Sequence, residues 1–122
     1  MTEGAVERPY DLGARTFLFA QRTRAFVRTL PRTVSNAEDV KQLVRSSGSV
    51  GANYVEADEA LSKKDFVMRI RISRKESKES GYWLRLLDTG DNAALEGERQ
   101  WLVKESRELV LIFSAIVNKT VP

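Results

Sequence analysis

The chain has neither cysteine nor histidine. Without cysteine there is no disulfide frame, no thiol nucleophile and no thiolate metal site, and a reducing, cytoplasmic setting is the expected location. Without histidine the Ser/His and Cys/His routes to nucleophilic catalysis are closed, and so is the Glu-x-x-His ligand pair of di-iron helical bundles. Long apolar runs are also missing: nothing approaches the roughly 18 residues of a membrane span. Met1–Pro9 carries Glu3, Glu7 and Arg8 where a signal peptide would be apolar, so no membrane association is expected. Proline stands only at positions 9, 31 and 122, which leaves long stretches free to be helical.

What is present suits one globular domain over residues 1–122, since the chain is 42% hydrophobic and 30% charged. The net charge of +3 says little by itself about nucleic acid. Its distribution says more, because basic and acidic segments alternate: +3 for residues 1–32, −3 for 33–60, +4 for 61–88 and −1 for 89–122.

Periodicity divides the chain into four helices. Leu12, Phe19, Phe26 and Leu30 recur at sevens and fours between Pro9 and Pro31. Ser35-x-x-Glu38 has the form of a capping box, and Val40, Leu43, Ser47, Val50, Tyr54, Ala57 and Leu61 then follow three-four spacing. Ser62-x-x-Asp65 offers an N-cap before Phe66, Ile70, Ser73, Ser77, Ser80, Leu84 and Leu87. Thr89-Gly90-Asp91-Asn92 is turn chemistry, and Leu95, Leu102, Leu109, Ile112 and Ile116 carry the last helix. The expected fold is all-α, an antiparallel up-down-up-down four-helix bundle with helices over about 10–30, 36–61, 63–89 and 92–118.

The middle of helix two, Arg45-Ser-Ser-Gly-Ser-Val-Gly-Ala-Asn53, is rich in small residues although glycine in a helix costs about 1 kcal/mol against alanine. The compensation expected is close approach to the Ser73, Ser77 and Ser80 seam of helix three. Asn53 and Glu56 on helix two and Glu76 and Glu79 on helix three would form a polar core with Arg45 or Arg74 as partners.

The run Gln42-Leu43-Val44-Arg45-Ser46-Ser47-Gly48-Ser49-Val50-Gly51-Ala52-Asn53-Tyr54-Val55-Glu56-Ala57, followed by Lys75-Glu76-Ser77-Lys78-Glu79-Ser80-Gly81-Tyr82-Trp83-Leu84, resembles the 23S rRNA intervening-sequence proteins over Tyr10–Val117. The resemblance implies a left-handed antiparallel bundle and a homo-oligomer, a pentamer in some relatives. A related branch, the accessory protein of diversity-generating retroelements, binds nucleic acid and a reverse transcriptase. Family members often carry apolar residues where this chain has Ser77 and Ser80, which leaves that branch's partner unassigned here. Family membership speaks to fold more than to function.

Two patterns bear on chemistry. At about 100° per residue, Lys64, Arg71, Arg74, Lys75, Lys78 and Arg85 share one third of helix three, an arc free of acids that can meet phosphates. Arg15, Arg22, Arg24 and Arg28 of helix one are expected to extend it. A merely solvated face is the competing reading, since Tyr54 and Tyr82 are expected to bury their rings, Trp83 and Trp101 to pack in the core, and no exposed aromatic stands ready for base stacking. Glu76-x-x-Glu79 and Glu105-x-x-Glu108 place paired carboxylates on facing helices. Structural ion pairs with Arg45, Arg74 or Arg107 are their expected role, with a magnesium-dependent nucleotide hydrolase as the alternative. No metal or other cofactor is expected, and the function anticipated is non-enzymatic binding of RNA, DNA or a protein partner.

Overall fold

Four polar side chains set the helix starts by accepting hydrogen bonds from otherwise unpartnered backbone N–H groups. Asp11 accepts from Gly13, Thr33 from Asn36, Ser62 from Asp65 and Asn92 from Leu95. The structure, a computed structural model, describes residues 11–121. The expected start of helix one at Tyr10, like the ends of the expected 1–122 domain, lies outside them. The elements are α1 (Leu12–Val27), α2 (Val34–Asp58), α3 (Lys63–Leu86) and α4 (Ala93–Thr120), with no strand among the described residues.

Several boundaries differ from those expected, each for a local reason. α1 ends at Val27 and not at residue 30, because Pro31 disfavours helical backbone in the residue before it, and Thr29 and Leu30 close tight turns onto the Phe26 and Val27 carbonyls instead. α2 is capped by Thr33, not Ser35. Residue 36 is tied down at that point: the Asn36 amide donates to the carbonyls of Pro31 and Asp88, both at 2.9 Å, and its oxygen accepts from the Asp88 N–H at 2.9 Å. That clamp joins the α1–α2 connection to the α3–α4 connection. α2 ends at Asp58 because Ser62 needs extended backbone to cap α3, which leaves Leu61 wholly exposed instead of in the seam. α3 ends at Leu86: Leu87 turns extended (ψ 140°), buries its side chain and accepts a hydrogen bond from Arg99 on its carbonyl. Gly90 (φ 64°) and Asp91 (φ 59°) then make the left-handed turn into α4.

Contact registers show the helices antiparallel in sequence. Along α1 and α2, Thr16 meets Gly51 and Arg24 meets Gly48. Along α2 and α3, Ser46 meets Ser80, Val50 meets Ser73 and Asn53 meets Arg69. α4 returns beside both α3, where Gly81 faces Ser106, and α1, where Arg22 meets Glu98 and Arg15 meets Glu105. Contacts join α1 to α2, α2 to α3, α3 to α4 and α4 to α1, so α1 and α3 lie on a diagonal.

The core contains Phe19, Phe26, Leu43, Val50, Ile70, Leu84, Leu102, Leu109 and Phe113. Toward the end of α4 the buried side is taken by Phe113 and Val117, while Ile112 and Ile116 are half-buried. A straight helix drifts about 20° per heptad, which carries a seven-residue stripe off centre by the last turns.

The small residues of α2 serve two neighbours. Ser46 faces α3, its Oγ 2.9 Å from Ser80 Oγ, and Ser73 Oγ of α3 donates to the Val50 carbonyl at 2.9 Å. The α2 glycines face α1 instead. A Cβ on Gly51 would stand 3.0 Å from Thr16 Oγ1, and one on Gly48 would stand 3.1 Å from Arg24 Nη2. On α3 the tight approach is at Gly81, where a Cβ would meet Ser106 Oγ of α4 at 2.7 Å.

Candidate nucleic-acid interface

The 3.6-residue period of α3 buries Ile70, Ser73, Ser77, Ser80 and Leu84 and turns the opposite side outward. Lys64, Arg71, Lys75, Lys78 and Arg85 are exposed on that side, and Arg74 is half-buried. Grooves follow this arc along its border with α4. At the start of α3, a depression of about 960 Å³ is lined by Lys63, Lys64, Arg71 and Lys75 with Met68 and with Val121 just beyond α4. Midway, one of about 570 Å³ lies between Lys78, Tyr82 and Arg85 of α3 and Val103, Arg107 and Leu111 of α4. Near the start of α4, one of about 760 Å³ takes in Arg85, Arg99, Lys104 and Arg107. Acids enter this lining only as Asp65 at one end and Glu96 at the other.

Of these residues, Lys104 carries no sequence-based expectation, Arg107 is expected in ion pairs with the acids and Tyr82 in the interior. Lys104 and Arg107 flank the groove from α4, one turn apart. Tyr82, expected to bury its ring, is 56% exposed. It follows Lys64 by about five helical turns and so shares its angle, a placement the same arithmetic that found the basic arc contains. Its ring meets Trp83 edge-on, with centroids 5.1 Å apart at 79°.

The arginines of helix one do not join this surface, because α1 lies diagonal to α3. Arg15 is turned toward α4, donating to both oxygens of the buried Glu105 at 2.8 Å each and to Glu108 at 3.1 Å. The hydrogen bond to Glu105, above all, holds its guanidinium more tightly protonated than an ordinary arginine. Arg22 grips Glu98 with two nitrogens and lies 3.5 Å over the Trp101 ring. Both cations are thus committed to interior pairs. Arg24 bonds to the Ala20 and Val44 carbonyls, and Arg28 is exposed at the end of α1.

The expected polar core is partly drawn together. Glu76 is buried and pairs with Arg45 at 3.5 Å, and the same guanidinium reaches the more exposed Glu79 at 3.8 Å. Asn53 is half-buried, donating to Ser49 and accepting from Arg69. Glu56 stands outside this core: its side chain is exposed, with Arg69 only at 4.0 Å, because position 56 falls on the outer flank of α2. Among the described residues Glu105 and Glu108 pair with Arg15, and not with Arg45, Arg74 or Arg107. The two carboxylate pairs therefore sit at different interfaces, one between α2 and α3 and the other between α4 and α1. No three acidic side chains gather as a metal ion would require among the described residues. Among the same residues no helix is long and apolar enough to cross a membrane.

The relatives agree with the architecture. A crystal structure of a protein of unknown function from the S23 ribosomal protein family of Bacteroides thetaiotaomicron is similar to this chain, with a TM-score of 0.73 and 27% identity over 88% of this chain and 98% of that one. No curated protein matches the chain. The model of the 23S rRNA-intervening sequence protein family matches residues 11–111, from the cap of α1 through most of α4. With four antiparallel helices in hand and that match covering more than half its length, the chain belongs to the 23S rRNA-intervening sequence protein family.

Proposed function

We propose that the chain is a non-catalytic, oligomeric helical module that binds RNA or DNA by its phosphates along the α3–α4 grooves. The observation that carries this is the continuity of the cations. Lys78 and Arg85 from α3 share grooves with Arg107 or Lys104 from α4, Lys64, Arg71 and Lys75 line the groove that precedes them along α3, and acids enter only at the ends. A strip of this kind attracts a polyanion by releasing condensed counterions, a sequence-independent effect. The hydrolase alternative has less support, since Arg45 and Arg15 hold the carboxylate pairs at separate interfaces.

Self-association belongs to the same reading, as do a single domain and a cytoplasmic location. Phe17 and Val55 are 67% and 57% exposed beside the shallow α1–α2 groove, an apolar face suited to a second subunit or a protein partner. Light scattering would give the subunit number, five if this chain assembles as some relatives do.

The decisive test is a charge reversal. Replacing Arg71, Arg74, Lys75 and Lys78 by glutamate should abolish binding to a generic RNA while circular dichroism stays helical. For the parent, log affinity should fall with log salt by about 0.7 to 0.9 per phosphate engaged. A reversed variant that binds as well as the parent would reduce the arc to a solvated face.

A further inference from the structure

Tyr82 is an exposed aromatic ring that α3 sets among the cations of its border, and its surroundings are those of a stacking platform. Lys78 precedes it by one turn and Arg85 follows it by just under one, so both lie on its own face of the helix. Arg107 stands across the groove on α4, where Val103 and Leu111 add apolar lining. More than half of the residue is open to solvent, while the edge contact with the half-buried Trp83 steadies the ring from one side. An aromatic held this way loses little freedom on binding.

Resting on the phosphate-binding reading above, we propose that this platform takes the face of an unpaired base, so that the α3–α4 groove prefers single-stranded nucleic acid to duplex. In a duplex each internal base is covered above and below by its neighbours, and only its edges are reachable. A single strand can swing a base onto the tyrosine and leave the adjoining phosphates beside Lys78, Arg85 and Arg107. Stacking of this sort is tolerant of sequence, because every base has a face. The charge of the groove favours a polyanion over an apolar peptide as the occupant.

The experiment uses the full chain and fluorescence anisotropy, with a labelled single strand of about twenty nucleotides and the blunt duplex of the same sequence. The parent should bind the single strand more tightly. Tyr82→Ala should weaken single-strand binding by about five- to 150-fold. It should leave duplex affinity and the salt slope unchanged, because no charge is lost. Tyr82→Phe keeps the ring and should bind like the parent. Arg85→Ala should lower the salt slope instead. A Tyr82→Ala variant that stays helical and binds single strands as the parent does would overturn the stacking role while leaving phosphate binding intact. Equal parental affinity for both forms would do the same. If the parent binds neither oligonucleotide, both readings fall, and the groove is better suited to a protein partner.

Discussion

Replacing Gly81 by alanine tests how closely α3 and α4 are packed. The added methyl would lie 2.7 Å from Ser106 Oγ, well inside contact distance, at a buried position where Ser106 already donates to the Val103 carbonyl at 2.7 Å. Overpacking a well-filled interior costs about 1–3 kcal/mol. Against it stands the helix preference for alanine, about 1 kcal/mol. The single variant should therefore lose about 0–2 kcal/mol. Removing the hydroxyl with Ser106→Ala leaves Ser106 Cβ at 3.6 Å from the new methyl, an ordinary contact. In that background Gly81→Ala should stabilise by about 1 kcal/mol, a reversal of sign and a coupling of about 1–3 kcal/mol. Gly97 is the control, since a methyl there meets nothing within 4 Å and Gly97→Ala should stabilise by about 1 kcal/mol in any background. Urea unfolding of the four-member cycle measures this, read from midpoints at constant m-value. If Gly81→Ala has the same effect with and without the Ser106 hydroxyl, the helices are not in the close contact described.

Two further perturbations address the helix ends. Thr33→Ala should cost about 1 kcal/mol of stability and Ser35→Ala much less, since Thr33 carries the α2 cap; equal losses in chemical denaturation would return the cap to Ser35. Glu96 is held below the usual carboxylate range by its hydrogen bonds from Arg99 and, second, from Thr89. A carboxylate lowered in the folded state contributes stability above its unfolded value and loses it as pH falls through the folded one. The stability gap between the parent and Glu96→Gln should thus be present at neutral pH and close as pH falls below the ordinary carboxylate range, and a gap independent of pH would remove Glu96 from the turn's electrostatics.

Much of the architecture could be read from residues alone, because it rests on local rules. Ser62 caps the helix expected of it, and the stripe from Ile70 to Leu84 points inward as its spacing requires. The same periodicity placed Lys64, Arg71, Lys75, Lys78 and Arg85 outward, and would have placed Tyr82 there had its angle been weighed against the habit of burying tyrosine. A helix's own period sets which residues face its core, whatever the neighbours are.

Which helix stands to the left or right is a different matter, set by the order of the four around the bundle. Nothing in the spacing of Arg15 and Arg22 reveals that α4 lies beside them and offers Glu105 and Glu98, so they read as free cations until the diagonal placement of α1 and α3 was known. Gly48 and Gly51 likewise read as a seam for α3 and proved to receive α1. The sequence by itself determined the four helices, their buried stripes and the cationic side of α3, since each depends on angles within a single helix. The tertiary structure alone decided which cations are committed to interior carboxylates and which border an open groove, because a charge's partner is fixed by distance across the bundle and not by position along the chain.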